Sequence, residues 1–152
     1  MTLWRISNHA KLEGRCGLIT SARWHTIGRP VVYLASSPSS ALLEILIHLE
    51  LTEALLPDSY QLLKVQAPDE IATENVALSA LPRAWEEDLA ATRRIGDGWL
   101  GSRRTALLEI PSAIVPETLH YLLNPAHPEA SNITIEWARR FPHDKRLLRG
   151  TR

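Results

Sequence analysis

One cysteine, one methionine and one phenylalanine occur among 152 residues, and what is scarce already narrows the chain's class. Cys16 has no partner for an internal disulfide, so packing must hold the fold, and the cytoplasm is the expected compartment. Met1 to Glu13 contains no apolar stretch of the signal-peptide kind. The six histidines show neither HxH nor HExxH spacing, so no resident metal is expected. The longest mostly apolar run, Ala41 to Leu56, is broken by Glu44, His48, Glu50 and Glu53, well short of the ~20 apolar residues of a spanning helix. Seventeen basic residues balance seventeen acidic ones, which leaves no global electrostatic reason for direct nucleic-acid contact. Gly14-Arg15-Cys16-Gly17 matches neither GxGxxG nor a Walker A loop, and the absence of GxSxG removes support for a serine hydrolase.

Hydrophobic residues make up 45% of the chain and charged residues 22%, enough to bury one core in a single domain of ordinary size. Leu3-Trp4-Arg5-Ile6 reads as an opening strand, followed by a long polar loop containing Gly14 and Gly17. Pro30 to Ala35 is a β-branched and aromatic strand. Ser37-Pro38-Ser39-Ser40 then places a capping hydroxyl before a proline at the first helical position, predicting a helix to about Leu51. A break at Leu56-Pro57-Asp58 precedes a strand over Tyr60 to Ala67, which Pro68-Asp69-Glu70 turns away. A helix is expected from Pro82 to Arg94, ended by Gly96-Asp97-Gly98. Short strands follow at Thr105 to Ile110, Ala113 to Val115, Tyr121 to Leu123 and Ile133 to Trp137. There is no internal repeat and no βαβ rhythm, so α+β is the expected class.

Glu44 is the most informative position, a carboxylate inside Ala41-Leu42-Leu43-Glu44-Ile45-Leu46-Ile47. Helical spacing puts Ser40, Ala41, Glu44, Ile47 and His48 along one side, with Glu44 and His48 adjacent. Either this side is a solvated stripe, or Glu44 is a partly buried acid at the base of a cleft. Arg5, in an apolar strand, and Arg23, before Trp24, either hold an anion bidentately, such as a diphosphate, or pair with Glu13, Glu44 or Glu109. The pairs Arg93-Arg94, Arg103-Arg104 and Arg139-Arg140 read as solvated faces. Tyr33 either stacks on a flat ring or fills the core, and Ser112 either donates to a ligand or forms a turn. The tail over 139–152 holds six Lys or Arg against one acid, Asp144, and reads as a solvated end or a contact for an acidic partner.

In their order, Leu3-Trp4-Arg5-Ile6, Ala22-Arg23-Trp24-His25 with Gly28 to Ala35, and Ala41-Leu42-Leu43-Glu44 with Ile47-His48 resemble the RES domain family. Gly96-Asp97-Gly98-Trp99-Leu100, Pro111-Ser112-Ala113-Ile114-Val115-Pro116 and Tyr121-Leu122-Leu123-Asn124-Pro125 with His127-Pro128 extend the likeness to about Leu148. The resemblance implies one α+β domain over 1–152, with a mixed, mostly antiparallel sheet similar to the ADP-ribosyltransferase fold. It implies a bacterial toxin that cleaves NAD, its substrate rather than a cofactor, at the nicotinamide–ribose bond as a glycohydrolase or phosphorolase, depleting NAD and arresting growth. ADP-ribosyl transfer to a cellular protein is the alternative, and a non-catalytic antitoxin-binding module a further one. The implied partner is an Xre-family antitoxin in a hetero-oligomer, with DNA reached only through the antitoxin and no membrane contact. The conserved arginine, glutamate and serine map to Arg5 or Arg23, to Glu44 and to Ser112. Catalysis is expected from Glu44, Arg5 and Ser112, and NAD binding from Arg5, Arg23, Tyr33, His48, Ser112 and Asn124. His25 stands where the family often has asparagine.

Overall fold

A computed structural model describes residues 1–48, 59–141 and 144–148. Its elements in chain order are β1 (Thr2–Ser7), α1 (Cys16–Ile19), β2 (Val32–Ala35), α2 (Pro38–His48), β3 (Gln61–Gln66), β4 (Thr73–Asn75), α3 (Leu89–Ser102), β5 (Leu107–Pro111), β6 (Leu119–Leu123) and β7 (Thr134–Arg140), with short 3-10 turns between some of them. The seven strands form one sheet in the order β4-β5-β6-β2-β1-β3-β7. Every pairing is antiparallel except β4 with β5, so the sheet is mixed and mostly antiparallel, and the class is α+β.

Two centrally placed strands are joined by little. β1 and β2 share a single registered pair, Trp4 with Ala35, whereas β1 and β3 share six and β2 and β6 share four. Beyond Trp4, Arg5 to Ser7 has no registered partner on β2. Strand alternation then sorts the side chains. Leu3, Leu63, Val65 and Leu34 share one cluster, while Ile6, Ala35 and Leu62 pack beneath Ala41 of α2. On the α2 side of the sheet, Leu108, Ile110 and Leu122 meet Trp24, Trp85 and Trp99. The indole Nε1 of Trp99 donates to Thr105 Oγ1 at 2.9 Å, which lets a large ring be buried without stranding its polar atom.

The start of α2 follows the capping logic. Ser37 Oγ accepts from Ser40 N at 3.1 Å, and Ser40 Oγ accepts from Ser37 N at 3.2 Å, a reciprocal cap over Pro38. Leu51, the expected end of that helix, and the break at Leu56-Pro57-Asp58 lie outside the described residues.

Three sequence expectations need correction. The helix expected over 82–94 is α3, which starts later and runs straight through Gly96-Asp97-Gly98. Asp88 is its N-cap, its carboxylate accepting from Ala91 N at 2.9 Å, and Arg103 closes it in the left-handed region at φ 51°. Gly96 does not stop the helix; it serves packing, because an added Cβ would overlap the Trp24 carbonyl oxygen. Second, Ala113 to Val115 is a turn, since Ser112 Oγ accepts from Ile114 N at 3.2 Å and Val115 N at 3.3 Å. Third, α1 arises inside the segment read as a long loop, and β4 lies where no element was expected. The supposed basic tail begins inside β7, which carries Arg139 and Arg140. Among the described residues no helix is long and apolar enough to cross a membrane.

Candidate functional site

Because α2 turns its Ala41 side onto the sheet, Glu44, three residues later, hangs over β6 rather than facing water. Its side chain is 32% exposed. Ser112 Oγ, just beyond β5, donates to Glu44 Oε1 at 3.2 Å, and His120 Nε2 of β6 stands 3.2 Å from the same oxygen. His48, one turn along α2, places its Nε2 3.9 Å from Oε2, too far for a hydrogen bond. Burial pushes the Glu44 carboxyl up, but hydrogen bonding and charge from His120, then Ser112 and His48, outweigh it and hold the acid below its usual value. The carboxylate is therefore kept charged beside an open side, a state suited to stabilising positive charge that develops next to it.

Tyr33 lies on the same face. It is two residues before Ala35, roughly 6.6 Å along the strand, and Ala35 is directly across from His120. Its hydroxyl closes a short relay. Trp24 N donates to the Tyr33 oxygen at 3.2 Å, and the Tyr33 oxygen lies 2.9 Å from His25 Nδ1. His25 Nε2 is 2.8 Å from the Thr20 carbonyl, which can only accept, so Nε2 carries the hydrogen and Tyr33 donates to Nδ1. Burial holds His25 below its ordinary value, matching this neutral tautomer, and burial likewise pushes the Tyr33 phenol up. Its ring packs against the Trp24, Trp85 and Trp99 cluster, with the His25 ring centroid 5.7 Å away.

The relay segment is bolted to α3. Thr92 Oγ1 donates to the Arg23 carbonyl at 2.6 Å, Arg93 Nε donates to the Ala22 carbonyl at 2.8 Å, and Asp97 accepts from Thr26 N at 2.9 Å. The Arg23 guanidinium donates through one nitrogen to the Glu86 carbonyl at 2.5 Å and is close enough to act electrostatically on Tyr33.

Of the residues expected at the site, the structure thus gathers Glu44, Ser112 and His48 into one group and sets Tyr33, with Arg23 near it, on the adjoining part of the same face. Neither Arg5 nor Arg23 is among the groups whose hydrogen bonds or charge act on Glu44. Arg5 is cross-strand from Leu63, on the side away from α2. There it lines a cavity of about 310 Å³ together with His9, Lys11, Glu13, Gly14, Arg15, Cys16 and Ile19. Its Nη1 donates to the Lys11 carbonyl at 3.4 Å, its side chain also meets Cys16, and among the described residues no carboxylate pairs with it. Burial holds the guanidinium below its ordinary value, with Cys16 opposing. Glu13 instead pairs with Arg15 at 3.0 Å. Asn124 is the clearest departure. It is fully buried, donating to the Leu100 carbonyl at 3.0 Å and accepting from Ala126 N at 3.1 Å, and it sits at the far end of β6 from His120. Its side chain latches a turn to α3 and does not join the Glu44 group.

His120 was missed from sequence. The available signal was period two: His120 and Leu122 share the inward face of β6, so a polar side chain there had to be buried. Among the described residues no group of three or more His, Cys, Asp or Glu could hold a metal ion.

The RES domain model matches residues 2–144. A toxin Res of Pseudomonas putida is 44% identical over 148 residues, covering 97% of this chain and all of the relative. A Sphingobium protein named as a Prs ADP-ribosylating toxin is 39% identical over 158 aligned positions, covering 97% of each chain. The toxin–antitoxin complex MbcT–MbcA of M. tuberculosis contains a chain of the same fold, with TM-score 0.74 at 14% identity, covering 92% of this chain and 83% of that one. With the family model spanning nearly the whole sequence and two full-length toxin relatives, the chain belongs to the RES domain family of toxins.

Proposed function

We propose that this chain is the toxin of a bacterial toxin–antitoxin pair and that it acts on NAD, breaking the bond between nicotinamide and ribose. The observation that carries the reading is the charged Glu44 carboxylate, fixed from one side by Ser112 and His120 and open on the other. When the glycosidic bond breaks, its electron pair goes to the nicotinamide nitrogen, neutralising the pyridinium, and positive charge gathers on the ribose. A carboxylate held beside the ribose stabilises that charge as it develops. Water or phosphate then adds to the anomeric carbon and loses a proton. The Tyr33 ring offers a flat apolar surface for the nicotinamide, and His48 flanks the free carboxylate oxygen.

The two arginines serve differently in this reading. Arg23 spends a donor on the Glu86 carbonyl and helps shape the Tyr33 side. Arg5 is a half-buried cation among Lys11 and Arg15 with no carboxylate of its own among the described residues, and its fork suits a diphosphate. The seam where β1 and β2 stop pairing begins at Arg5.

ADP-ribosyl transfer to a protein is the second reading, favoured by the name of the Sphingobium relative. It uses the same bond cleavage and differs only in the acceptor. An antitoxin is the partner we assign, by analogy with the toxin–antitoxin complex in which the neighbouring fold is found, and the family resemblance implies that it is of the Xre family, with DNA reached through it. Purified chain free of antitoxin, incubated with NAD, should release nicotinamide. ADP-ribose, its 1-phosphate, or a protein gaining the mass of ADP-ribose identifies the acceptor. Intact NAD after prolonged incubation with folded protein would overturn the proposal.

A further inference from the structure

We infer that His120 is the positioning residue of this site: it ties Glu44 to the sheet through Oε1 so that Oε2 is the oxygen offered to the ligand. The inference deepens the NAD reading and depends on it only for its kinetic readout.

The geometry divides the two carboxylate oxygens sharply. Oε1 receives Ser112 Oγ at 3.2 Å and lies 3.2 Å from His120 Nε2, so both anchors meet the same oxygen. Oε2 has His48 at 3.9 Å, beyond hydrogen-bond reach, and that histidine is 65% exposed. The two anchors differ from the helix they hold. Ser112 is fixed by its own turn, its backbone N donating to the Thr118 carbonyl at 2.9 Å. His120 sits on β6, which is paired on both edges, with β2 and with β5, and its side chain is only 9% exposed. A glutamate on a helix has three side-chain torsions to fix, and a donor on a doubly paired strand fixes them before any ligand arrives. His48 rides on the same helix as Glu44 and cannot supply an external reference.

The imidazole serves this role through an Nε2–H bond whether it is neutral or protonated. The titratable groups facing Glu44 are His48 on its own helix and His120 on β6, with the Ser112 hydroxyl between β5 and the following turn. Burial raises the Glu44 carboxyl and His120 is the largest of the influences lowering it, so removing His120 should move the acid's titration to higher pH.

The test compares His120→Leu, which fills the space but donates nothing, with His120→Gln, whose amide N–H reaches the place of Nε2–H. His120→Leu should lower kcat for NAD about a hundredfold while KM changes little, since misplacement of a reacting group is felt in the transition state. The acid limb of kcat and the 13C-detected titration of Glu44, assigned with Glu44→Gln, should both shift upward. His120→Gln should recover most of kcat. Full kcat in His120→Leu, or a His120→Gln loss as deep as that of His120→Leu with both variants melting like the parent, would overturn the role, as would a Glu44 titration unmoved by His120→Leu. A shifted Glu44 titration in a protein that leaves NAD intact would keep His120 as the anchor and reject the NAD reading, so the two failures are separable.

Discussion

Replacing Glu44 by glutamine removes one negative charge and almost nothing else. In Glu44→Gln the carbonyl oxygen can take the place of Oε1 and keep both Ser112 and His120, while the amide nitrogen takes the place of Oε2, where His48 is 3.9 Å away. Two charge-assisted hydrogen bonds become neutral ones, a loss of roughly 1–2 kcal/mol, partly offset because a partly buried charge no longer has to be desolvated. The net change in stability should stay near 1 kcal/mol, which for a chain of this size is about 2–4 °C in melting temperature. The effect on catalysis is larger. Loss of one preorganised electrostatic group costs on the order of 2.7–4 kcal/mol of transition-state stabilisation, or about a hundredfold to a thousandfold in kcat. Nicotinamide release followed by chromatography, with melting by circular dichroism on the same samples, separates the two effects. A variant that melts within a few degrees of the parent and turns NAD over at the parental rate would refute the role given to the charge.

Arg5→Ala should raise KM for NAD more than it lowers kcat, whereas Arg5→Lys, keeping charge but losing the fork, should fall between; equal KM in all three proteins would remove Arg5 from the ligand. Gly96→Ala forces a Cβ against the Trp24 carbonyl, so α3 must retreat from the segment that carries His25; the expected cost is about 1–3 kcal/mol or more by urea denaturation, and an unchanged midpoint would show the approach is not close. His25 prefers to stay neutral in the fold, so below its ordinary value of about 6.5 the unfolded chain takes up a proton that the folded chain resists. Stability should therefore fall as pH drops from about 6.5, a decline that His25→Gln should weaken, and a melting temperature rising over that window would contradict the buried neutral imidazole.

Local chemistry made several elements legible. Ser37-Pro38-Ser39-Ser40 announced α2 because a cap and a proline act within one turn, and the β-branched run at Val31-Val32 announced β2. Glycine was read by its usual habit at Gly96, and α3 ran on regardless: the missing Cβ is used to bring a helix against Trp24, a purpose no window around residue 96 reveals. Ser112 was offered as either turn former or donor and is both at once.

From the residues alone came the α+β class, the family, and the suspicion that a carboxylate in an apolar helix is kept there for use. Tertiary structure decided which groups meet that carboxylate. His120 is 76 positions away in the chain and arrives through the β2–β6 pairing and the packing of α2 over it, while Arg5 is carried to the other side because side chains alternate along β1. Capping, turns and periodicity depend on neighbours a few residues apart and can be read along the chain. Pairing across a sheet and the face a side chain takes depend on which distant strands join and in what register, and that is fixed only when the whole core packs.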